Sequence, residues 1–428
     1  MNFENNLAFA QRLDQADPLS SFRHDFLFPQ QNGKPFIYLC GNSLGLQPKV
    51  VRKVVDEQLS SWHNLAVEGW FQGDNPWMFY HKELKKLMGP LVGASAKEVC
   101  PMNTLTVNLH LLMVSFYKPL KGRFKIIMEA GAFPSDQYAV ESQVRFHGYS
   151  PEEAIIEVAP RLGEHTLRTE DVQAQIAQYG DEVALVLFGG VNYFTGQWFD
   201  MEAITKAGHA VGAIVGFDLA HAAGNVPLEL HDWDIDFACW CSYKYQNSGP
   251  GGISGIFVHE KHFKDTTLNR FAGWWGYNEE QRFKMEKGFL PEIGADGWQV
   301  SCTQVMPMAL YLASLQVFEK AGFVEPLRVK SIFLTSYMFY IIDQINKKLN
   351  NEQFEIITPF NENERGAQVS IIAKQKGKEI FEGLVANNVL GDWREPNVIR
   401  LSPVPLYNSF EDVFRTGELL LQITKSIV

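Results

Sequence analysis

The sequence has no apolar run of membrane-spanning length, since its most apolar segments, residues 183–188 and 210–217, are only strand-sized. It has no block of lysine and arginine, and its net charge of −11 argues against a nucleic-acid partner. The first residues lack the basic and apolar regions of a signal peptide. Cysteine is scarce, with five residues, which is typical of a reducing compartment. We therefore expect a cytoplasmic protein that binds neither nucleic acid nor membrane.

Scarce cysteine also gives little support for a metal site. Cys239 and Cys241 alternate within one predicted strand and could contribute two ligands. No second cluster of cysteine or histidine with ligand spacing accompanies them, so we expect no metal.

Repeats and low-complexity linkers are also absent, so the organisation follows from the hydrophobic pattern. From about residue 100, apolar strands alternate with helices, which predicts an α/β fold with a mainly parallel sheet covered on both faces. After about residue 305, long helices and short strands are typical of a smaller α+β domain. We predict an N-terminal segment at 1–60 that contributes to the small domain, a large domain at 61–304 and a C-terminal small domain at 305–428.

The individual elements are predicted as follows. Strands of the large domain are expected at residues 125–130, 154–159, 183–188, 213–218, 235–241 and 253–258. Its helices are expected at residues 104–117, 135–147, 169–179 and 201–211. The small domain is predicted to have helices at 305–320, 327–348 and 410–427, and strands at 355–358, 368–373 and 398–402.

A single lysine at the end of an apolar strand is the most informative feature that is present. Residues 236–244 (DFACWCSYK) bring Lys244 to a glycine-rich loop at 247–252. Burial disfavours the ammonium, and a neutral amine is a nucleophile. Residues 214–221 (IVGFDLAH) end a second apolar strand with Asp218 and His221. A lysine for a Schiff base and an acid for a protonated ring nitrogen are the minimal requirement for pyridoxal phosphate (PLP) chemistry.

Each of these residues also has a structural interpretation when taken alone. Lys244 could extend from a strand end into solvent, Asp218 could cap a helix, and His221 could be a core histidine. Their joint occurrence beyond two strands favours a shared ligand, because ligands bind outside the carboxyl ends of parallel strands.

Three further segments allow both a functional and a structural interpretation. Residues 103–106 (NTLT) open an apolar helix whose N-terminus could bind phosphate or be an ordinary cap. Phe133, before Pro134, could stack on a flat ring or simply begin a helix. Arg400 in an apolar strand needs an anionic partner, either a substrate carboxylate or an internal salt bridge.

An ordered series of motifs along nearly the whole chain resembles kynureninase, a PLP enzyme family of the aspartate-aminotransferase fold class. The series consists of residues 41–48 (GNSLGLQP), 105–110 (LTVNLH), 132–136 (AFPSD), 216–222 (GFDLAHA), 238–245 (ACWCSYKY) and 403–410 (PVPLYNSF). The resemblance implies PLP fold type I, a homodimer and the hydrolysis of L-kynurenine, with 3-hydroxykynurenine as a possible second substrate, to anthranilate and L-alanine. It places the enzyme in tryptophan breakdown or nicotinamide cofactor synthesis.

The resemblance also implies roles for individual residues. Lys244 is expected to be the Schiff-base lysine, Asp218 the partner of the pyridine nitrogen, and Tyr243 a proton shuttle. The residues expected to bind the cofactor are Leu105, Thr106, Phe133, Pro134, Ser135, Asp136, Asp218, His221, Tyr243, Lys244, Trp274 and Cys302. Those expected to bind the substrate are Arg400, Ser43 and Trp70.

The sequence departs from the family at three positions. Gly189 replaces a serine found in some members, while Cys302 and Trp70 replace an asparagine and a histidine of animal members. These changes favour plain kynurenine over its 3-hydroxy derivative. Because the fold class forms dimers with shared sites, Trp274 and Cys302 are expected to act across the subunit interface.

Three other functions fit parts of the sequence. A cysteine desulfurase needs an exposed, mobile cysteine, whereas Cys239 and Cys241 are predicted to be buried in a strand. A cofactor-binding protein without catalytic activity would not need the intact set of Lys244, Asp218 and Arg400. A nicotinamide dehydrogenase would have a Gly-x-Gly-x-x-Gly turn after its first strand, and none is present.

Overall fold

A seven-stranded sheet forms the centre of the larger part of the molecule. It is seen in a computed structural model that describes residues 2–302 and 304–428. Its strands in chain order are β1 (Val99–Pro101), β2 (Lys125–Glu129), β3 (Ile155–Val158), β4 (Val183–Gly189), β5 (Ile214–Asp218), β6 (Phe237–Trp240) and β7 (Gly255–Val258). The spatial order is β1-β7-β6-β5-β4-β2-β3, and β7 is antiparallel to both of its neighbours while the other pairs are parallel. This confirms the predicted, mainly parallel sheet.

Alternation along the strands explains why both faces of this sheet are covered. Ile126 and Met128 of β2 belong to one apolar cluster, whereas Ile127 between them belongs to another on the opposite face. Helices pack on each face because both sets of strand side chains are apolar.

Twelve helices are seen within the described residues. They are α1 (Leu7–Ala16), α2 (Val51–Leu65), α3 (Tyr80–Leu91), α4 (Leu105–Phe116), α5 (Pro134–Phe146), α6 (Pro151–Ala154), α7 (Thr169–Tyr179), α8 (Met201–Ala210), α9 (Val305–Lys320), α10 (Val324–Leu349), α11 (Gly377–Ala386) and α12 (Phe410–Ile427). None of them combines the length and apolarity that a bilayer crossing requires.

A second, antiparallel sheet lies in the C-terminal part of the chain. Its strands are β8 (Phe354–Ile356), β9 (Val369–Ala373), β10 (Asp392–Arg394) and β11 (Val398–Leu401), in the spatial order β8-β9-β11-β10. A separate apolar cluster joins this sheet to α10, α11 and α12. Ser409 and Asp412 form a reciprocal capping box at the start of α12, which explains why that helix begins at Phe410.

The N-terminal segment contacts the C-terminal part. Phe9 and Ala10 of α1 are buried in the same apolar cluster as α12. Ile37–Tyr38 also pairs in parallel with Val389–Leu390. Two further pairings remain within the segment, Phe26–Leu27 with Gln47–Pro48 and Gln30–Gln31 with Lys34–Pro35. The division at residues 60 and 304 stays a prediction.

Most predicted elements agree with the structure within three residues at each end. Helix α10 starts at Val324, three residues before the prediction, because Pro326 lies in its first turn, where proline is tolerated. The sequence did not predict α1, α3, α6, α11, β1 or β10. Helix α3 carries Pro90 near its end, and β1 and β10 have only three residues each, so their patterns are weak.

Candidate active site

A cavity of about 440 Å³ lies where the carboxyl ends of β2, β4, β5 and β6 meet. This is the edge at which parallel sheets bind ligands. The predicted site residues that line it are Ser43, Leu105, Thr106, Phe133, Ser135, Asp136, Asp218, His221, Tyr243, Lys244 and Arg400. Segments far apart in sequence therefore form a single site.

Lys244 extends into this cavity from the loop that follows β6. Its Nζ lies 3.0 Å from Nε2 of His221 and 5.8 Å from the ring centre of Phe133. The loop backbone is fixed by Gly45, whose N–H donates to the Tyr243 carbonyl at 2.8 Å. A side chain at Gly45 would collide with Asn247 and the Lys244 carbonyl, so glycine permits this close approach.

His221 is held in its neutral form. Burial, followed by the charges of Lys244 and Arg400, lowers the pKa of His221 well below its ordinary value. Since an ammonium can only donate, Nε2 accepts from Lys244 and the ring proton resides on Nδ1. Nδ1 is buried and has no partner among the described residues. A buried donor of this kind is expected to meet a ligand.

Three carboxyl groups lie together at the same cavity. Asp218 accepts a hydrogen bond from the Ala220 N–H at 2.7 Å. Burial raises the pKa of Asp218, whereas this N–H and the Lys244 ammonium act in the opposite direction. Burial, with the charges of Asp218 and Glu129, raises the pKa of Asp136 well above its ordinary value. Three buried acids are unfavourable as three anions, and Asp218 is the member best supported as an anion because the Ala220 N–H and Lys244 stabilise its charge.

Glu129 is the third carboxyl group, and sequence analysis missed it. It ends β2, is fully buried, and accepts the Gly189 N–H with both oxygens at 3.1 and 3.2 Å. Burial, with a smaller contribution from Asp218, raises its pKa to about 7. The signal that identified Asp218, an acid at the end of an apolar strand, was also present at Glu129.

Glu129 should make the stability of the cofactor-free protein depend on pH. Its pKa is raised from 4.5 to about 7, so its contribution is complete below 4.5 and is lost as the pH rises through 7. Between about pH 5 and about pH 8 we expect the free energy of unfolding of the wild type to fall by about 2–3 kcal/mol more than that of Glu129→Gln. Denaturant titration measures this difference. Glu157→Gln, at an exposed position in β3, is the control, and equal pH dependence of wild type and Glu129→Gln would contradict the prediction.

The N-terminus of α4 faces the same cavity. The first helical bond runs from the Asn108 N–H to the Thr104 carbonyl, so the N–H groups of Leu105 and Thr106 precede it. The Thr104 side chain makes no capping hydrogen bond. Free N–H groups and the positive end of the helix dipole suit a phosphate.

An aromatic wall borders the lysine. Phe133 is 39% exposed, and Tyr193 packs edge-on against it with ring centres 5.1 Å apart. Pro134 follows as the first residue of α5 and does not line the cavity, while the Ser135 hydroxyl donates to Asp136 at 3.3 Å. Tyr243 is half-buried at the cavity, and burial raises the pKa of its phenol, which therefore keeps its proton.

Arg400 reaches the cavity from β11 and has an internal partner. Its Nε and Nη2 lie 3.1 and 2.8 Å from the two oxygens of Asp392, and Nη1 donates to the Tyr193 carbonyl at 2.5 Å. The Ser43 hydroxyl donates to the same carboxylate at 2.5 Å. Arg400 therefore has the internal salt bridge that was one of its two possibilities, while its binding of a substrate carboxylate stays a prediction for a residue that lines the cavity. Arg394, which the sequence analysis missed, lies beside it at the cavity.

Besides Pro134, three predicted site residues do not line this cavity. Trp70 packs against Trp77 and Trp275, with ring centres 5.8 and 5.6 Å away. Trp274 is 47% exposed, and Cys302 is exposed. These three residues therefore lie outside the cavity lining, and their predicted contacts with cofactor or substrate stay predictions.

One group outside the cavity has metal-ligating side chains. The ligand atoms of Glu98, His231 and His259 lie within 4.8 Å of one another. Both ring nitrogens of His259 are already used, since Nε2 donates to the His231 carbonyl and Nδ1 accepts the Lys261 N–H. His231 Nδ1 also bonds Glu98 at 2.8 Å. We assign this group a structural role.

Comparison with known folds places the chain in a defined structural class. The apo cysteine desulfurase from Thermococcus onnurineus superposes with a TM-score of 0.74 at 17% identity, covering 92% of this chain and 95% of that one. The C-DES protein, solved with glycine covalently linked to its PLP cofactor, superposes with a TM-score of 0.75 at 14% identity, covering 90% and 96%. These similarities confirm the predicted fold class.

Sequence comparison is more specific. Residues 37–274 match the model of class-V aminotransferases, and residues 327–420 match that of the kynureninase C-terminal domain. The kynureninase of Flavobacterium psychrophilum is 57% identical over 98% of both chains. That of Nematostella vectensis is 47% identical over 98% of this chain and 94% of its own. With a site of matching chemistry at the expected sheet edge, the chain belongs to the kynureninase family.

Proposed function

We propose that this protein uses pyridoxal phosphate to hydrolyse L-kynurenine to anthranilate and L-alanine. The single observation that carries the proposal is the convergence of Lys244, Asp218 and Arg400 on one cavity. An amine, a buried acid and a cation for a carboxylate are the groups that PLP chemistry on an amino acid requires.

The residues that would hold the cofactor follow from the chemistry of their donors and acceptors. The N–H groups of Leu105 and Thr106 offer a phosphate site at the start of α4. Phe133 offers an aromatic face beside Lys244. Asp218 offers a buried carboxylate to a protonated ring nitrogen, and that positive charge would relieve the repulsion among the three acids.

The bound cofactor supplies an aldehyde that reacts with amines and a ring that withdraws electrons. Lys244 would hold the cofactor through its amine and would move the proton at the substrate α-carbon. Asp218 would hold the proton on the ring nitrogen, and Arg400 would orient the substrate through its carboxylate. Tyr243, a phenol beside the lysine, would donate a proton to the β-carbon as water adds to the aryl ketone and the bond between the two carbons breaks, which gives anthranilate and L-alanine.

A spectroscopic and a fluorescence measurement test the proposal together. The purified protein should be yellow, and borohydride should fix the cofactor on the peptide that contains Lys244. Addition of L-kynurenine should release fluorescent anthranilate and an equimolar amount of L-alanine. A protein that stays colourless after incubation with the coenzyme, or that binds it without releasing anthranilate, would contradict the proposal. Comparison of kcat/KM for L-kynurenine and 3-hydroxykynurenine tests the expected preference for the former.

The quaternary state and location are parts of the same proposal. We propose a homodimer in which the Trp274 and Cys302 regions complete the site of the neighbouring subunit. This is supported by the exposure of large apolar side chains in that region, among them Phe271, Trp274 and Phe283. We propose a cytoplasmic location, which the scarcity of cysteine and the absence of disulfides in the described part of the chain support.

A further inference from the structure

The antiparallel pair β10 and β11 brings two arginines to one side of the cavity. Asp392 lies directly opposite Arg400 in the register. Arg394 is two residues after Asp392 on the same strand, so its side chain emerges on the same face. Both arginines line the cavity.

Asp392 contacts both guanidinium groups. Its Oδ1 lies 3.1 Å from Nε of Arg400 and 3.0 Å from Nε of Arg394. Its Oδ2 lies 2.8 Å from Nη2 of Arg400, and Nη2 of Arg394 donates to it at 3.3 Å. Although burial raises the pKa of Asp392, the hydrogen bond and charge of Arg400 lower it overall. The carboxylate is therefore ionised and fixes the separation of the two cations.

The two arginines differ in how many of their donors the protein uses. The Arg400 side chain is 1% exposed and bonds Asp392 and the Tyr193 carbonyl. The Arg394 side chain is 36% exposed and contacts Asp392 alone among charged groups of the described residues. Its Nε is buried and lies 3.0 Å from Oδ1 of Asp392, but the angles of this contact are not those of a hydrogen bond. Arg394 therefore keeps more free N–H donors at the cavity than Arg400 does.

The charges of this cluster do not cancel. Two guanidinium groups are always protonated, and one carboxylate neutralises only one of them. One positive charge is left at the wall of a partly enclosed cavity, where an anion would be attracted strongly. The excess equals the charge of a single carboxylate.

We propose that Arg394 is a second anchor for the α-carboxylate of the substrate, and that Asp392 is the positioning residue that holds Arg394 beside Arg400. This inference rests on the proposed function and extends it to two residues. A purely structural salt-bridge cluster is the alternative, and it would leave substrate affinity insensitive to Arg394.

Steady-state kinetics of the PLP-loaded enzyme distinguish a substrate anchor at Arg394 from a purely structural salt-bridge cluster. Arg394→Gln should raise KM for L-kynurenine on the order of 10- to 100-fold while kcat stays within about 3-fold of the wild type. Arg415→Gln removes an arginine on α12 that bonds Glu411 and is the matched control, with KM unchanged. The visible spectrum of the bound cofactor should be the same in all three proteins.

A substrate analogue that lacks the α-carboxylate tests the contact between that group and Arg394. Kynurenamine, which is kynurenine lacking that group, should inhibit wild type and Arg394→Gln with equal inhibition constants, because it cannot use Arg394. The proposal would be overturned if Arg394→Gln weakened inhibition by kynurenamine by the same factor as it raised the KM for L-kynurenine. It would also be overturned if Arg394→Gln and Arg415→Gln had the same KM. If wild-type enzyme released no anthranilate, the proposed function itself would fail, which is a separate result.

The role of Asp392 is tested by an isosteric change. Asp392→Asn keeps the shape but not the charge that aligns the arginines, so KM should rise at least about 10-fold with kcat little changed. An unchanged KM would contradict the positioning role. If this variant does not fold, Arg394→Lys replaces it: the charge is kept but the planar fork is lost, so KM should lie between those of wild type and Arg394→Gln.

Discussion

Replacing Lys244 with alanine should lower the rate of L-kynurenine hydrolysis by about 10⁴-fold, the upper range for loss of one acid–base group. The reason is that, in the proposed mechanism, one amine both bonds the cofactor aldehyde and transfers the proton at the substrate α-carbon. His221, the nearest nitrogen at 3.0 Å, is neutral but cannot replace a primary amine in bonding an aldehyde. Anthranilate fluorescence gives the rate, and borohydride should no longer attach cofactor to the protein.

Lys244→Arg separates the charge of this residue from its chemistry. Arginine preserves a cation next to Asp218 and Phe133 but stays protonated, so it should be as inactive as Lys244→Ala while binding the coenzyme more tightly. More than about 1% of wild-type activity in either variant would exclude Lys244 as the acting amine.

Replacing Asp218 with alanine should cause the second-largest loss. If Asp218 pairs with a protonated ring nitrogen, its removal leaves an uncompensated buried charge, which costs about 3–5 kcal/mol. Coenzyme affinity should then fall on the order of 10²- to 10³-fold, with loss of activity even at saturating coenzyme, because the ring withdraws electrons less strongly when it is unprotonated. Coenzyme titration followed by absorbance measures the affinity, and undiminished turnover would contradict this role.

Asp136→Asn is the matched control for this experiment. Asp136 lies in the same cluster, but burial and the charges of Asp218 and Glu129 raise its pKa and so favour its uncharged form. Its isosteric replacement should therefore lower the affinity for the coenzyme by less than about 10-fold, whereas Asp218→Asn should lower it as much as Asp218→Ala does. Equal effects of the two asparagine variants would show that the negative charge is shared between the acids.

The sequence was sufficient to predict the main sheet and the part of the site that it carries. Strands buried on both faces read as continuous apolar runs, so β4 and β5 were predicted within one residue. Polar residues directly after such strands are conspicuous, and for this reason Asp218 and Lys244 were found. Glu129 is also an acid at the end of an apolar strand. It was missed because that strand was predicted to end one residue later, which placed Glu129 in its interior.

The other wall of the cavity could not be predicted in the same way. Arg394 lies in β10, a three-residue strand of mixed polarity that has no detectable period. Its position beside Arg400 depends on a register between two strands, which local patterns do not encode. Trp274 and Cys302 were assigned through resemblance to the family alone, because no local pattern around them indicates a ligand or an interface.

The cavity is lined by residues from early, middle and late parts of the sequence, among them Ser43, Lys244 and Arg400. Their order along the chain has a consequence for its synthesis. Translation proceeds from the N-terminus, so the sheet with Asp218 and Lys244 is complete well before β10 and β11 leave the ribosome. On the proposed roles, a nascent chain therefore contains the residues expected to hold the coenzyme before it contains the arginines expected to bind the substrate carboxylate.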